Sequence, residues 1–129
     1  MSTPYDTDEE LLVENDTSLE IRALNDEFRT QRSLIGSAIA DNTLVITSVV
    51  AALGNDFVDR AVHAVREYSG FNESNDPYGE HDFGSFELDG ENLFWKMDYY
   101  DPLFDGRSRD PADAAVTRRV LTILLAEEY

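Results

Sequence analysis

The sequence predicts an α+β domain: a small, largely antiparallel sheet, made of a strand plus a two-stranded hairpin, packed by about three helices. Three observations predict it. Apolar residues recur at helical spacing in three separate segments. A β-branched apolar run from Thr43 to Val50 reads as a strand. Asp89-Gly90 stands between two strand-like runs, the pattern of a hairpin turn. The order is helix, strand, helix, strand, strand, helix, with no internal repeat.

Residues 1–16 hold six acids and no base, from Asp6 to Asp16, and read as an acidic N-terminal tail with a turn around Leu11-Leu12-Val13. Residues 17–129 then form one domain. Thr17-Ser18-Leu19-Glu20 fits a capping box, and the helix it opens runs towards Arg32 with Ile21, Leu24 and Phe28 as its stripe. Gly36 breaks the chain. Leu44, Val45, Ile46, Thr47, Val49 and Val50 make a buried strand. Gly54-Asn55-Asp56 turns the chain and caps a second helix, Phe57 to Tyr68, whose core face is Val58, Ala61, Val62, Val65 and Tyr68. Residues 70–81 are a polar loop.

In the hairpin, a type I′ turn at Asp89-Gly90 pairs Leu88 with Glu91, Phe86 with Leu93, Gly84 with Trp95 and Asp82 with Met97. One face gathers Phe86, Leu88, Leu93, Trp95 and Met97. A glycine opposite a tryptophan lets the indole lie across the neighbouring backbone. The other face gathers Phe83, Ser85, Glu87, Asn92, Phe94 and Lys96. Residues 101–111 form a second polar loop with Pro102, Gly106 and Pro111. A last helix is expected from Ala112 to Glu127, with Asp110 or Asp113 at its N-terminus, where negative charge is favoured. Val116, Val120, Ile123 and Leu124 are its apolar face. Leu121 and Leu125 widen that face beyond one packing surface, so an accessory or assembly protein that forms a homodimer through this helix is one expectation.

Charge separates this chain from most domains of its size. It has 27 Asp and Glu against 10 Lys and Arg, a net charge of −17 over 129 residues. A magnitude of about 2–8 already suffices for solubility, and the excess repels itself and weakens the compact state. Apolar residues make up 42%, too many for a disordered acidic chain. There is no cysteine, which excludes disulfides and thiolate chemistry. No apolar run reaches the ~18 residues that span a bilayer. Met1-Ser2-Thr3-Pro4-Tyr5-Asp6 lacks the basic and apolar regions of a secretion signal, so the cytoplasm is expected. Direct contact with nucleic acid or an anionic membrane is not expected, because phosphate binding needs Lys and Arg. A basic partner is.

Two long segments carry a resemblance. They are Asn75-Asp76-Pro77-Tyr78-Gly79-Glu80-His81-Asp82-Phe83-Gly84 and Phe94-Trp95-Lys96-Met97-Asp98-Tyr99-Tyr100, joined by Ile21 to Arg29 near the start and Val120 to Leu124 near the end. Over residues 20–129 the chain resembles a small acidic bacterial domain family of unknown function, mostly proteobacterial and often found on plasmids and integrated mobile elements. The acidic extension before Ser18 lies outside it. The resemblance implies no functional residue. It implies a setting in which small acidic proteins often inhibit host defence.

Three chemistries fit the polar residues. Glu80-His81-Asp82, with Asp98, suggests a small acid/base or metal-dependent enzyme, since a histidine beside carboxylates can act as a general base. Adjacent strand residues point to opposite faces, so Glu80 and Asp82 can share a side that His81 leaves. No nucleophile elbow accompanies them. His63 falls on the polar side of its helix. Asp101, Asp105 and Gly106 match three positions of a calcium loop, but Leu103 and Ala112 stand where ligands belong. Neither a metal motif nor a phosphate- or dinucleotide-binding glycine loop is present, and no cofactor is expected.

The third chemistry is nucleic-acid mimicry. Residues 72–105 hold ten acids (Glu73, Asp76, Glu80, Asp82, Glu87, Asp89, Glu91, Asp98, Asp101 and Asp105) and one base, Lys96. The arginines cluster elsewhere. The main expectation is therefore a non-enzymatic DNA mimic of the anti-CRISPR or anti-restriction type. It would occupy the basic groove of a nuclease or CRISPR effector through these ten acids, with Tyr78, Tyr99 and Tyr100 as aromatic anchors.

Overall fold

The computed structural model describes residues 17–31 and 42–129. Helix α1 covers residues 17–29. Strand β1 (Thr43–Ile46), helices α2 (Ser48–Ala51) and α3 (Asn55–Arg66), the hairpin β2 (Phe83–Leu88) and β3 (Glu91–Tyr100), and strand β4 (Arg118–Leu125) follow. Single 3₁₀ turns at Ala114–Val116 and Ala126–Glu128 flank β4. The sheet runs β1-β4-β3-β2. Only β1 and β4 are parallel. This is the expected α+β class with a largely antiparallel sheet.

The hairpin has the expected register, from Phe83 opposite Lys96 to Leu88 opposite Glu91, with Gly84 opposite Trp95. Both turn residues have positive φ, 53° at Asp89 and 81° at Gly90, as a type I′ turn requires. Alternation then sorts the sheet. Leu93, Trp95 and Met97 of β3 and Leu121, Ile123 and Leu125 of β4 face one side. There they pack with Phe28 of α1, Val50 of α2, and Phe57, Ala61 and Val65 of α3. The other side carries Phe83, Ser85 and Glu87 of β2, Phe94, Lys96 and Asp98 of β3, and Thr122 of β4. Tyr129 returns onto that side against Phe83 and Phe94.

Two expected elements take another form. The strand from Thr43 ends at Ile46. Thr47 then caps α2, its hydroxyl accepting from the Val50 amide at 3.3 Å, so Val49 and Val50 are helical. The strand is an edge and half-exposed, with Val45 38% exposed, because the sheet continues on one side only. The expected last helix is strand β4. A run such as Val120-Leu121-Thr122-Ile123-Leu124-Leu125 satisfies a helical stripe and a buried strand alike. Val120, Thr122 and Ile123 are β-branched, and pairing with β1 on one side and β3 on the other holds the run as a strand whose alternate residues Leu121, Ile123 and Leu125 are buried. Leu121 and Leu125 lie inside the core, which removes the reason for a dimer through this segment. Asp113 keeps a capping role on a shorter element, accepting from the Ala115 amide at 2.9 Å. Thr17 is already helical, so it is not an N-cap. The N-terminal tail, Arg32 and Gly36 lie outside the described residues.

Candidate functional site

The loop before β2 is built by its asparagines. Asn72 Oδ1 accepts from the Ser74 and Asn75 amides at 2.8 and 3.0 Å, and Asn75 Nδ2 donates to the Gly70 carbonyl at 2.9 Å. The Asp76 amide donates to the Asn72 carbonyl at 2.8 Å, which turns the Asp76 side chain inwards, where it is buried. Asp76 Oδ1 accepts the His81 amide at 3.1 Å. His81 holds the left-handed conformation, φ 57°.

That conformation sends the imidazole away from its neighbours. It stacks on Phe71 with ring centroids 3.7 Å apart. Its Nδ1 lies 3.0 Å from both carboxylate oxygens of Asp26 on α1, and its Nε2 lies 3.7 Å from Asp76 Oδ2. Asp26 also accepts from Arg29 Nη2 at 3.0 Å. Arg29 is buried and donates through Nη1 to the Val65 and Tyr68 carbonyls at 2.7 and 3.2 Å, tying α1 to the end of α3.

A second polar chain crosses from β4 to the same loop. Arg119, 1% exposed, donates through Nε to Asn25 Oδ1 at 2.7 Å and through Nη2 to the Pro111 carbonyl. Asn25 Nδ2 donates to Tyr99 Oη at 2.8 Å and to the Glu80 carbonyl at 3.0 Å. Tyr99 Oη donates to Glu80 Oε1 at 3.3 Å. The Met97 amide donates to the Asp82 carbonyl at 2.8 Å. Asp82, Met97, Asp98, Tyr99, Tyr100 and Arg107 then line a cleft of about 250 Å³.

Charge concentrates at this end of the sheet. Burial raises the Glu80 carboxyl above its ordinary range, and the nearby Asp82 charge adds to it, against the Tyr99 hydrogen bond. Burial also raises Asp82, with Asp76 and Asp98 adding repulsion and its own amide opposing it. Burial pushes the Tyr99 phenol up and the Arg119 guanidinium down. Among the described residues, neither Glu80 nor Asp82 makes an ion pair, whereas Asp98 meets Lys96 Nζ at 2.7 Å.

A carboxyl raised on folding binds more protons in the folded state than in the unfolded one. Stability therefore falls as pH rises from the ordinary carboxyl value through the raised one. Glu80→Gln, which keeps an acceptor for Tyr99, is expected to raise the thermal midpoint at pH ~7. The gain should vanish below about pH 4, where the wild-type carboxyl is neutral too. Midpoints measured across that range check it; a lower midpoint at neutral pH would contradict it.

The ten acids of residues 72–105 do not share one face. Asp76, Glu80, Asp82 and Asp98 converge, with Tyr99 and Tyr100 beside them. Glu73 and Tyr78, the latter 72% exposed, line another groove, which Asp76 also lines, against Ser18, Leu19 and Arg22 of α1. Glu87, Asp89 and Glu91 lie at the opposite end, around the hairpin turn. Arg60 grips Asp89 at 2.9 and 2.7 Å and holds its carboxyl below the usual range. Asp101 Oδ1 accepts from the Leu103 and Asp105 amides at 2.8 and 3.1 Å, so that carboxylate folds its own loop. His63 is exposed on α3.

Asn25, Asp26, Arg107 and Arg119 belong to the site and were not foreseen. The one signal was polar residues interrupting apolar stripes, Asn25-Asp26 within Leu24 to Phe28 and Arg119 beside Val120. Among the described residues, no group of three or more His, Asp or Glu is placed to hold a metal ion, and no helix is long and apolar enough to cross a membrane.

Neither a search of curated proteins nor a search of solved structures finds a match. A family model does match residues 46–128, from the end of β1 through β4, and so takes in the acid cluster and the hairpin. The chain belongs to that family, described as protein of unknown function (DUF3768).

Proposed function

We propose that this protein works by binding. It docks on a basic, nucleic-acid-binding protein, such as a restriction nuclease or a CRISPR effector, and inhibits it by taking the place of the nucleic acid. The observation that carries the reading is the convergence of Asp76, Glu80, Asp82 and Asp98 at one end of the sheet of a chain with net charge −17. Burial and mutual repulsion disfavour the charged forms of Glu80 and Asp82. Asp82 and Asp98 line the cleft, and a partner's guanidinium there offsets the repulsion between them through a two-pronged hydrogen bond to a carboxylate. Tyr100 lines the same cleft. The net charge steers encounter with a basic groove.

Acid/base catalysis at Glu80, His81 and Asp82 has less support. Both imidazole nitrogens of His81 face carboxylates, and its ring is outside the lining of the cleft.

The test is capture from a lysate of the native cell at low and high salt, followed by affinity measurement with the protein recovered. One basic nucleic-acid-binding protein, released by salt, is expected. Asp82→Asn/Asp98→Asn should weaken its binding at least ~10-fold, about 1.4 kcal/mol. Recovery of no basic protein, or unchanged affinity of the double variant, would overturn the reading.

A further inference from the structure

The hairpin leaves one side of the sheet open. Strand β2 is an edge. The Met97 amide bonds to the Asp82 carbonyl, so by antiparallel alternation Gly84, Phe86 and Leu88 turn their main-chain groups towards β3. Phe83, Ser85 and Glu87 turn theirs away. Among the described residues, no hydrogen bond outside the β2–β3 ladder engages the main chain of those three.

Proteins ordinarily blunt such an edge with lysine, proline, a bulge or a very short strand. Strand β2 has none of these, and Glu87 is its one charged side chain. It is six residues long, FGSFEL, and its register with β3 is unbroken. Beside it on the open face, the rings of Phe83, Phe94 and Tyr129 cluster, Phe94 lying 5.0 Å from Phe83 and 5.5 Å from Tyr129. Glu87 is exposed and makes no ion pair among the described residues.

Charge decides the occupant. A second copy of this chain would bring another net charge of −17 to the edge. A cationic strand meets the opposite situation. We propose that the β2 edge receives an extended, basic segment of the partner protein as a fifth strand, its open-face residues apolar beside Phe83 and cationic beside Glu87. Main-chain bonds supply affinity in such an addition, and alternate side chains supply selection. The inference rests on the binding reading above for the basic character of the partner.

The probe is the capped peptide Lys-Thr-Lys-Thr-Val-Thr-Val. Its control has the same charge and side chains with alternate amides N-methylated, so it cannot join a sheet. Amide hydrogen exchange of Phe83, Ser85 and Glu87 is followed by NMR. Saturation with the peptide should slow all three at least ~10-fold, and the control should leave them unchanged. Ser85→Pro removes an outward N–H at an edge position that tolerates proline, and should weaken the peptide ~10-fold. No binding of the peptide, no protection at the three amides, or equal binding of the control would overturn the strand addition. Salt-released capture of a basic protein would then still leave the charge reading standing. Protection that rises with protein concentration alone would assign the edge to a second copy and overturn the proposal as well. If Ser85→Pro does not fold, exchange in the unaltered protein decides.

Discussion

Arg119→Ala should lose about 3–5 kcal/mol of stability, from two buried acceptors left without a donor and the void left behind. For a domain of this size that lowers the thermal midpoint by roughly 10–20 °C. The side chain is fully enclosed, so water cannot replace what it supplies. Its Nε–H satisfies Asn25 Oδ1, and its Nη2 satisfies the Pro111 carbonyl. Its guanidinium also lies 5.2 Å from the centre of the Tyr99 ring. Alanine leaves both oxygens without a donor and opens a void next to Met97 and Leu121 on the core face. Arg119→Met fills the space without a charge. It leaves the same two oxygens without a donor, so it should lose less than alanine only by the void that it fills. Urea unfolding of the two variants separates these terms. A loss below about 1 kcal/mol for Arg119→Ala would mean that the network does not hold the domain together.

Asn25→Ala removes the next link, since Asn25 also serves Tyr99 Oη and the Glu80 carbonyl. The double variant should lose less than the sum of the singles, because the two residues satisfy each other. That coupling also shows where the sequence was mute. The hairpin was legible because its information is local: Asp89-Gly90 fixes the turn, the turn fixes the register, and the register puts Gly84 under Trp95. Strand β4 was not, because helix and strand share an apolar pattern over so short a run and only its neighbours β1 and β3 decide between them. The site divides in the same way. Strand alternation along residues 80–82 suggested that His81 leaves Glu80 and Asp82, but the left-handed backbone at His81, before β2 begins, is what separates it. Its partner Asp26 lies 55 residues away on α1, a distance no spacing rule crosses. The acids around the hairpin were visible as a charge excess. What became of each, Asp89 held by Arg60 or Asp101 turned into its own loop, depends on tertiary placement.

Gly84→Val should be nearly as damaging, for a steric reason. A Cβ at Gly84 would stand 2.7 Å from Cε2 of Trp95 and 2.8 Å from Cζ of Tyr68, far inside contact distance. The Trp95 ring has no room to retreat. Trp95 is fully buried, and Tyr68 and Phe71 meet it edge-on at 5.6 and 6.0 Å. Valine therefore expels the indole or opens the hairpin from α3, and a loss of about 3–5 kcal/mol is expected, as for deleting a core tryptophan. Gly84→Ala should fall in the lower range of overpacking, about 1–3 kcal/mol. The chain has one tryptophan, so its fluorescence reads the event directly. Emission should shift to the red in Gly84→Val under conditions where the wild type keeps a buried indole. Unchanged emission and an unchanged midpoint would contradict the packing. The displacement has a functional consequence too. Phe71 lies between Trp95 and the His81 ring, and His81 bridges Asp26 and Asp76. Moving the indole loosens the loop that presents Asp76, Glu80 and Asp82. A folded fraction of Gly84→Ala should therefore bind a basic partner more weakly even though residue 84 contributes no charge.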